Sequence, residues 1–427
     1  MCAIFQEWPV GGRPVPRPAD LAGNRAGPLP AGDADRRTEW RPDGRLGEHP
    51  GFPRSAVLAA LDGEDRAPAE RVFTGTSHLN TVVAVPVPHG DGRTLVVVRR
   101  ERGTVHRLER SFLSEHAVLR AIEESGAAVR APRVLALGVS GPRDRFAAQA
   151  YEGPRDRFAA HACEGPRDRF AIHSYEGPRD GVRPPEHPVD GLLPHEADDL
   201  VDQLAALTGV GHERLDPTAG GVDFFAWLRG ELVRLVRELP RPSRRLAREV
   251  GLPGGDRLAE LLARREVRAR PPVLLHGDLN PWNLVRGQGP DRGLTLIDWE
   301  MAVVGDPLYD LARHLHLTPT RPEIRRRMLA RWAARLPARH TIGWERDLDV
   351  YRTIESVRSA YVDLDRLVTG AALDAPNVQR AVESWAMTLR AATAGLGLPL
   401  RSTTDPCLAR AFPPAARGAA GRRPVGT

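Results

Sequence analysis

The sequence predicts an α+β fold of two lobes, a sheet-rich N-terminal lobe followed by a mainly helical one. Three observations carry this. Between Arg71 and Ile172 the apolar residues come in short β-branched runs such as Thr81–Val85 and Leu95–Val98. From Leu193 onward they recur at helical spacing. At 427 residues the chain exceeds the usual single core.

Composition excludes several classes. Hydrophobic content of 41% and charged content of 27% are ordinary for a soluble globular protein. There is no run of 18 apolar residues, so no membrane span is expected. The start, Met1 to Trp8, lacks the basic and apolar regions of a secretory signal. Cys2, Cys163 and Cys407 are too widely spaced for a disulfide framework or a zinc site, which fits a reducing cytoplasm. The formal net charge is +6, and all 61 basic residues are Arg. These arginines are scattered among acids and aromatics are only 5%, so nucleic acid is not an expected partner. An Arg-rich coding bias accounts for the charge. Oligomeric state has no signature here.

The expected organisation is a disordered tail over residues 1–48, an N-lobe over 49–178, a helical C-lobe over 179–412 and a second tail over 413–427. Pro53–Leu61 reads as a short helix, with folding proper starting near Arg71. Phe73–Val85 reads as strand, small-residue turn and strand, the turn holding Gly75 and Ser77. Leu95–Arg100 is a strand ending in two arginines, of which alternation lets only one face a cleft. Ser111–Glu124 reads as a helix with Ser111 as N-cap and Gly126 as its stop. Phe112, Glu115, Leu119 and Ile122 share one stripe, and an acid on an apolar stripe calls for a partner.

A near-identical twelve-residue unit then recurs: Gly141–Glu152, Gly153–Glu164, Gly165–Glu176, with a fourth begun at Gly177. Twelve is even, so an inserted copy leaves strand facing unchanged. The third copy, with Phe170 and Ile172, is assigned the structural strand; the first two form an extra ribbon or loop. Helices are expected at Leu193–Thr208, Val222–Leu239, Asp256–Arg264, Tyr309–Leu317, Arg321–Leu336, Glu345–Thr369 and Val378–Ala394.

The most informative stretch is Leu274–Glu300. Two short apolar runs each end in residues that an apolar core would not tolerate unpaired. The first delivers His276, Asp278 and Asn283; the second delivers Asp298. Carboxylates and an amide at strand ends suit a site on a rigid scaffold.

Here a resemblance becomes specific. His276-Gly277-Asp278-Leu279-Asn280-Pro281-Trp282-Asn283 resembles the H-x-D-x-x-x-x-N catalytic loop of kinase-like phosphotransferases. Ile297-Asp298-Trp299-Glu300 looks like their metal-binding triplet, with Trp for Phe. With Gly305–Ala312, the pattern is similar to the aminoglycoside phosphotransferase / choline kinase family, over roughly residues 70–395. The resemblance implies a bilobal protein-kinase-like fold, ATP and Mg²⁺ as cofactors, and transfer of the γ-phosphoryl group to a hydroxylated small molecule. It implies Asp278 and His276 as catalytic residues, with His276 bracing the loop rather than moving a proton. It implies Asn283 and Asp298 as metal ligands. Gly75, Ser77, Arg99 and Glu115 become the nucleotide-side candidates. Arg99 stands where the family carries a phosphate-binding Lys, and Glu115 is its expected ion partner. Asp310 is expected to tie a helix to the loop.

The acceptor stays open. A polycationic aminoglycoside needs acidic walls, for which Glu300, Glu355, Asp363 and Asp365 are candidates; the same acids suit a solvated face. Choline, thiamine, homoserine and macrolides are alternative acceptors. A catalytically silent kinase-like binding module is the alternative from another class, because the Lys is absent. No A-P-E segment follows Asp298, which disfavours a protein kinase.

Overall fold

The β-branched runs of the N-terminal part pair into one six-stranded antiparallel sheet. The computed structural model describes residues 41–42, 51–74, 78–86, 92–101, 112–140, 168–178, 185–215, 223–287, 293–369 and 375–399. The strands are β1 (Arg41–Pro42), β2 (Val72–Thr74), β3 (His78–Pro86), β4 (Arg93–Glu101), β5 (Val134–Ser140) and β6 (Asp168–Ser174), in the order β1-β5-β6-β4-β3-β2.

Strand alternation divides the sheet's two faces. Val83, Val96, Val98, Phe170 and Ile172 pack with Val57, Ala60 and Leu61 of helix α1 (Arg54–Asp65). Ala171, Leu137 and Val134 pack instead with Val118, Leu119 and Ile122 of helix α2 (Glu115–Ser125). Arg100 follows Val96 and Val98 to the first face, where its guanidinium grips Glu64 of α1 through two bonds of 2.8 and 2.9 Å. Arg99 is thereby committed to the other face.

Three expectations are corrected. Folding does not begin near Arg71, because the apolar side of α1 covers a sheet face that water would otherwise meet. Arg41 and Pro42 lie within the expected tail, yet they pair with Val139 and Gly138 at the sheet edge, where a proline's missing donor is tolerated. The rest of residues 1–48 and all of 413–427 lie outside the described residues. Helix α2 starts at Glu115 after Ser114, not at Ser111. Phe112 leaves the helical stripe to set its ring edge-on to Trp227 at 4.8 Å. Gly126 ends α2 in the left-handed region, at φ 63°.

Strand β6 comes from the third repeat copy. Its Ser140↔Asp168 and Gly138↔Phe170 pairs place it between β5 and β4. The first two copies lie outside the described residues.

The C-terminal part is helical: α3 (Pro194–Ala206), α4 (Phe224–Glu238), α5 (Arg241–Glu249), α6 (Gly255–Ala263), α7 (Pro307–Leu317), α8 (Pro322–Arg335), α9 (Ala338–Thr341), α10 (Trp344–Thr369) and α11 (Ala375–Gly395). The short charged segments α5 and α9 escaped the apolar periodicity. Two small ladders sit inside this lobe: β7 (Val273–Leu275) with β10 (Val303–Gly305), and β8 (Leu284–Arg286) with β9 (Leu294–Leu296). Their short apolar runs are buried throughout, and the polar residues follow at their ends. No helix among the described residues is long and apolar enough to cross a membrane.

Candidate active site

The loop after β7 is held from below by α7. The Asp310 carboxylate accepts the His276 N–H at 2.7 Å and the Gly277 N–H at 2.9 Å. Both donors leave a strand end, so one buried acid satisfies two groups that an apolar core would orphan. Burial raises the Asp310 pKa above the usual carboxylate value. Gly277 has φ +76°, and a Cβ there would stand 2.1 Å from the Met301 carbonyl oxygen, so only glycine fits.

His276 is fully buried. Its Nε2–H donates to the Ile297 carbonyl at 3.0 Å, and its Nδ1 accepts the Asp278 N–H at 3.3 Å. Burial lowers its pKa, which favours the neutral ring that this pair of bonds requires. Its ring lies against Trp299, centroids 4.5 Å apart, and Trp299 is itself fully buried with its Nε1–H on the Leu296 carbonyl. The imidazole thus links the two strand-end segments; it has no surface from which to meet a substrate.

Asp278 stands beyond this brace. Its Oδ1 accepts from Arg313 Nη2 at 2.8 Å. Its Oδ2 accepts from Asn280 Nδ2 at 3.0 Å and Asn283 Nδ2 at 3.2 Å. Asn280 also caps the 3₁₀ turn Pro281–Asn283 by accepting the Trp282 N–H. Asn283 donates a second time to the Asp278 carbonyl at 2.8 Å, which makes its Oδ1 the end of the amide able to ligate a cation. Asp298 follows β9 at φ 65°, the one non-glycine with positive φ among the described residues. Such a position is unusual and is concentrated at functional sites.

The N-lobe reaches this point through one arginine. Arg99 Nη1 donates to Glu115 Oε1 at 2.8 Å, and Nη2 approaches Asp298 Oδ1 at 3.3 Å and His78 Nδ1 at 3.1 Å. Glu115 also accepts the Trp299 N–H at 3.2 Å. Burial opposes the charge on Arg99, but Glu115, Asp298 and Glu300 outweigh it and keep the guanidinium protonated. Sheet, helix α2 and the Asp298 segment therefore meet at a single cation. Gly75 and Ser77 lie outside the described residues.

Sequence reasoning missed the support behind Asp278. Arg313 bridges Asp278 to Glu355, donating to Glu355 Oε2 at 2.6 Å; Tyr309 O–H donates to Glu355 Oε1 at 2.7 Å. Arg313 stands three residues after Asp310 on α7, so both face the loop; an arginine one turn after that acid on a largely buried helix was the available signal. The acidic-wall expectation is corrected here for three of its four acids; Glu300 is partly buried, 3.5 Å from His78 Nδ1. Glu355, Asp363 and Asp365 of α10 are all buried, neither walling a cleft nor covering a solvated face. Glu355 is bound by Arg313 and Tyr309, and Asp365 accepts from Ser243 at 2.6 Å. Their side of α10 packs inward, where a carboxylate is retained only with partners.

The family model of the phosphotransferase enzyme family (APH) matches residues 78–346, which span the sheet, the loop and the first C-terminal helices. The chain belongs to this family. It is a phosphotransferase, of a family whose members act on hydroxyl groups of small molecules. No curated protein matches the sequence. Among solved structures the phosphotransferase is similar to an ethanolamine kinase of Plasmodium vivax, at 13% identity and TM-score 0.48, over 80% of this chain and 87% of that one. It is similar to a macrolide 2′-phosphotransferase of Brachybacterium faecium, at 19% identity and TM-score 0.41, over 81% and 97%. It is likewise similar to a choline/ethanolamine kinase family protein of Mesorhizobium loti, at 14% identity and TM-score 0.42, over 80% and 91%.

Proposed function

We propose that this phosphotransferase moves the γ-phosphoryl group of ATP to a hydroxyl of a small molecule, with Asp278 as the group that receives the acceptor's proton. The observation that carries the reading is the setting of Asp278. Its carboxylate is held by Arg313, Asn280 and Asn283 at the end of a braced strand. In the step, the acceptor oxygen bonds to the γ-phosphorus as the bond to the β–γ bridging oxygen breaks. ADP leaves, and the hydroxyl proton passes to Asp278. A positioned base of this kind contributes about 10²–10⁴-fold.

Arg99 sits where a phosphate clamp is needed, oriented by Glu115 and beside Asp298. A guanidinium binds phosphate oxygens in pairs, so it suits the task that a lysine does elsewhere. Asn283 Oδ1 and the Asp298 carboxylate are hard oxygens and would hold Mg²⁺, which typically takes one or two protein oxygens and completes its shell with phosphates and water. When bound, the ion neutralises charge on the transferred group. His276 is a positioning residue: it sets the loop's backbone and does not touch the reacting atoms.

Asp278→Ala tests the reading. Turnover should be abolished while ATP with Mg²⁺ still raises the melting temperature. Unchanged turnover would remove Asp278 from the mechanism. Absence of any thermal shift in the wild type at saturating nucleotide would favour a silent binding module.

A further inference from the structure

We propose that the cleft between α4 and the catalytic loop binds the acceptor, and that this acceptor is an uncharged hydroxylated molecule with an apolar body. The proposal rests on the phosphotransfer reading above and names its substrate class.

The cleft has a cavity volume of about 50 Å³, or about 550 Å³ when its open solvent side is counted, and Gly277 of the catalytic loop forms part of its wall. The rest of the wall is mainly apolar. Trp227 and Leu232 come from α4, Met301 from beside the loop, Tyr309 from α7, Ile354 from α10, and Phe112 from the N-lobe. Phe112 is a large apolar side chain left 40% exposed, and its ring meets Trp227 edge-on. Trp227 in turn stacks on Phe224 with centroids 5.6 Å apart. An aromatic ladder that ends in an exposed ring at the mouth of a cleft offers apolar contact to an incoming molecule.

The charges on the wall are already matched. Glu231 accepts from Arg234 Nε at 2.8 Å, and Arg234 also binds Glu238. Arg358 donates to the Tyr309 hydroxyl at 2.8 Å and lies 3.6 Å from Glu355. A polycation would find one carboxylate here, paired, beside two guanidiniums. Burying its ammonium groups without counter-charges is costly. A quaternary ammonium would gain the aromatic faces but meet the same two arginines. An uncharged body loses nothing on entering. Gly277 on its wall adjoins Asp278 in the chain, and Tyr309 and Arg358 tie the wall to the Glu355–Arg313–Asp278 hydrogen bonds.

The test uses the full chain and β-D-glucosides from methyl to octyl, below micelle-forming concentrations. Binding is followed by calorimetry and transfer by ADP release. Choline and a 2-deoxystreptamine aminoglycoside serve as cationic comparators. Affinity should tighten about fourfold per added methylene until the cleft is filled. Phe112→Ala should weaken octyl glucoside by roughly fivefold or more, with a loss of melting temperature of no more than a few degrees, because the ring is 40% exposed and loses only its edge contact with Trp227. Asp278→Ala should keep this binding and lose ADP release. A flat response along the series, indifference to Phe112→Ala, or cations that bind or react better than the glucosides would overturn the proposal. Glucosides that bind with the expected slope but accept no phosphate would overturn their assignment as acceptor mimics. No ADP release with any compound, cations included, would instead overturn the phosphotransfer reading.

Discussion

Arg313 joins Asp278 to Glu355. Its two terminal nitrogens reach Asp278 Oδ1 at 2.8 Å and Glu355 Oε2 at 2.6 Å, with the Arg313 side chain 6% exposed and Glu355 fully buried. One guanidinium therefore sets the direction of the candidate base and neutralises an acid that burial would otherwise penalise. Removing a partner from such a pair typically costs about 3–5 kcal/mol, because the remaining charge is stranded. Arg313→Met should lower the melting temperature by several degrees and reduce kcat by about 10–100-fold, with smaller changes in KM. Adding Glu355→Gln removes the stranded charge and should recover stability but not kcat. Recovery of both would make Arg313 merely structural.

Arg99 has a different division of labour. Its pairing with Glu115 at 2.8 Å leaves it beside Asp298, where the proposed reading has it meet the nucleotide. Arg99→Ala should raise the KM for ATP about tenfold or more, equivalent to about 1.4 kcal/mol, and also lower the melting temperature, since Glu115 is buried. Arg99→Lys keeps the charge but cannot span the same partners and should fall between. An unchanged KM for ATP in both variants would restrict Arg99 to holding the lobes.

His314 predicts an acid limb of stability. It donates Nδ1–H to the Leu279 carbonyl at 3.0 Å, next to Asp278, and its Nε2 is buried without a partner among the described residues. Burial pushes its pKa down to about 4. In the unfolded chain an imidazole takes its proton near pH 6.5. Between those values the unfolded state binds the extra proton and the native state does not, so stability falls as pH falls from about 6.5 to about 4. The slope is up to about 1.4 kcal/mol per pH unit for this residue. Urea unfolding across this window should show it, and His314→Gln should lessen the slope, the remainder coming from His316, whose pKa burial also lowers to about 4. An identical slope in the variant would assign the limb to other groups.

The repeat yields a prediction from register. Ser140 and Asp168 are paired across β5 and β6. Excising Gly141–Glu164 would leave Gly165, Pro166 and Arg167 between them, a length that hairpins use readily, with a glycine available. The shortened chain should fold with a melting temperature within a few degrees of the parent's. Insolubility would show that an earlier copy carries structure.

Much of this was legible in the sequence for one reason: local pattern reports local constraint. Helical spacing located α3, α4, α7, α8, α10 and α11 to within a few residues, because each has one face that must be buried. The polar residues closing the apolar runs of Leu274–Glu300 marked the loop, because a polar group at a buried strand end needs a designated partner. What escaped depended on contacts distant in sequence. Nothing near Phe112 says that Trp227 will draw it from α2, and nothing near Glu355 says that Arg313 will bury it.

Taken alone, the sequence determined the fold class, the loop from His276 to Asn283 with Asp298 after it, and the choice between two arginines to one strand face. Those follow from periodicity and from the chemistry of residue types. Only the tertiary structure decided that Arg313 backs Asp278, and that the α10 acids are neutralised inside the lobe rather than offered to a polycation. Whether a charge faces ligand or core depends on what packs against it, and that is a property of the assembled helices.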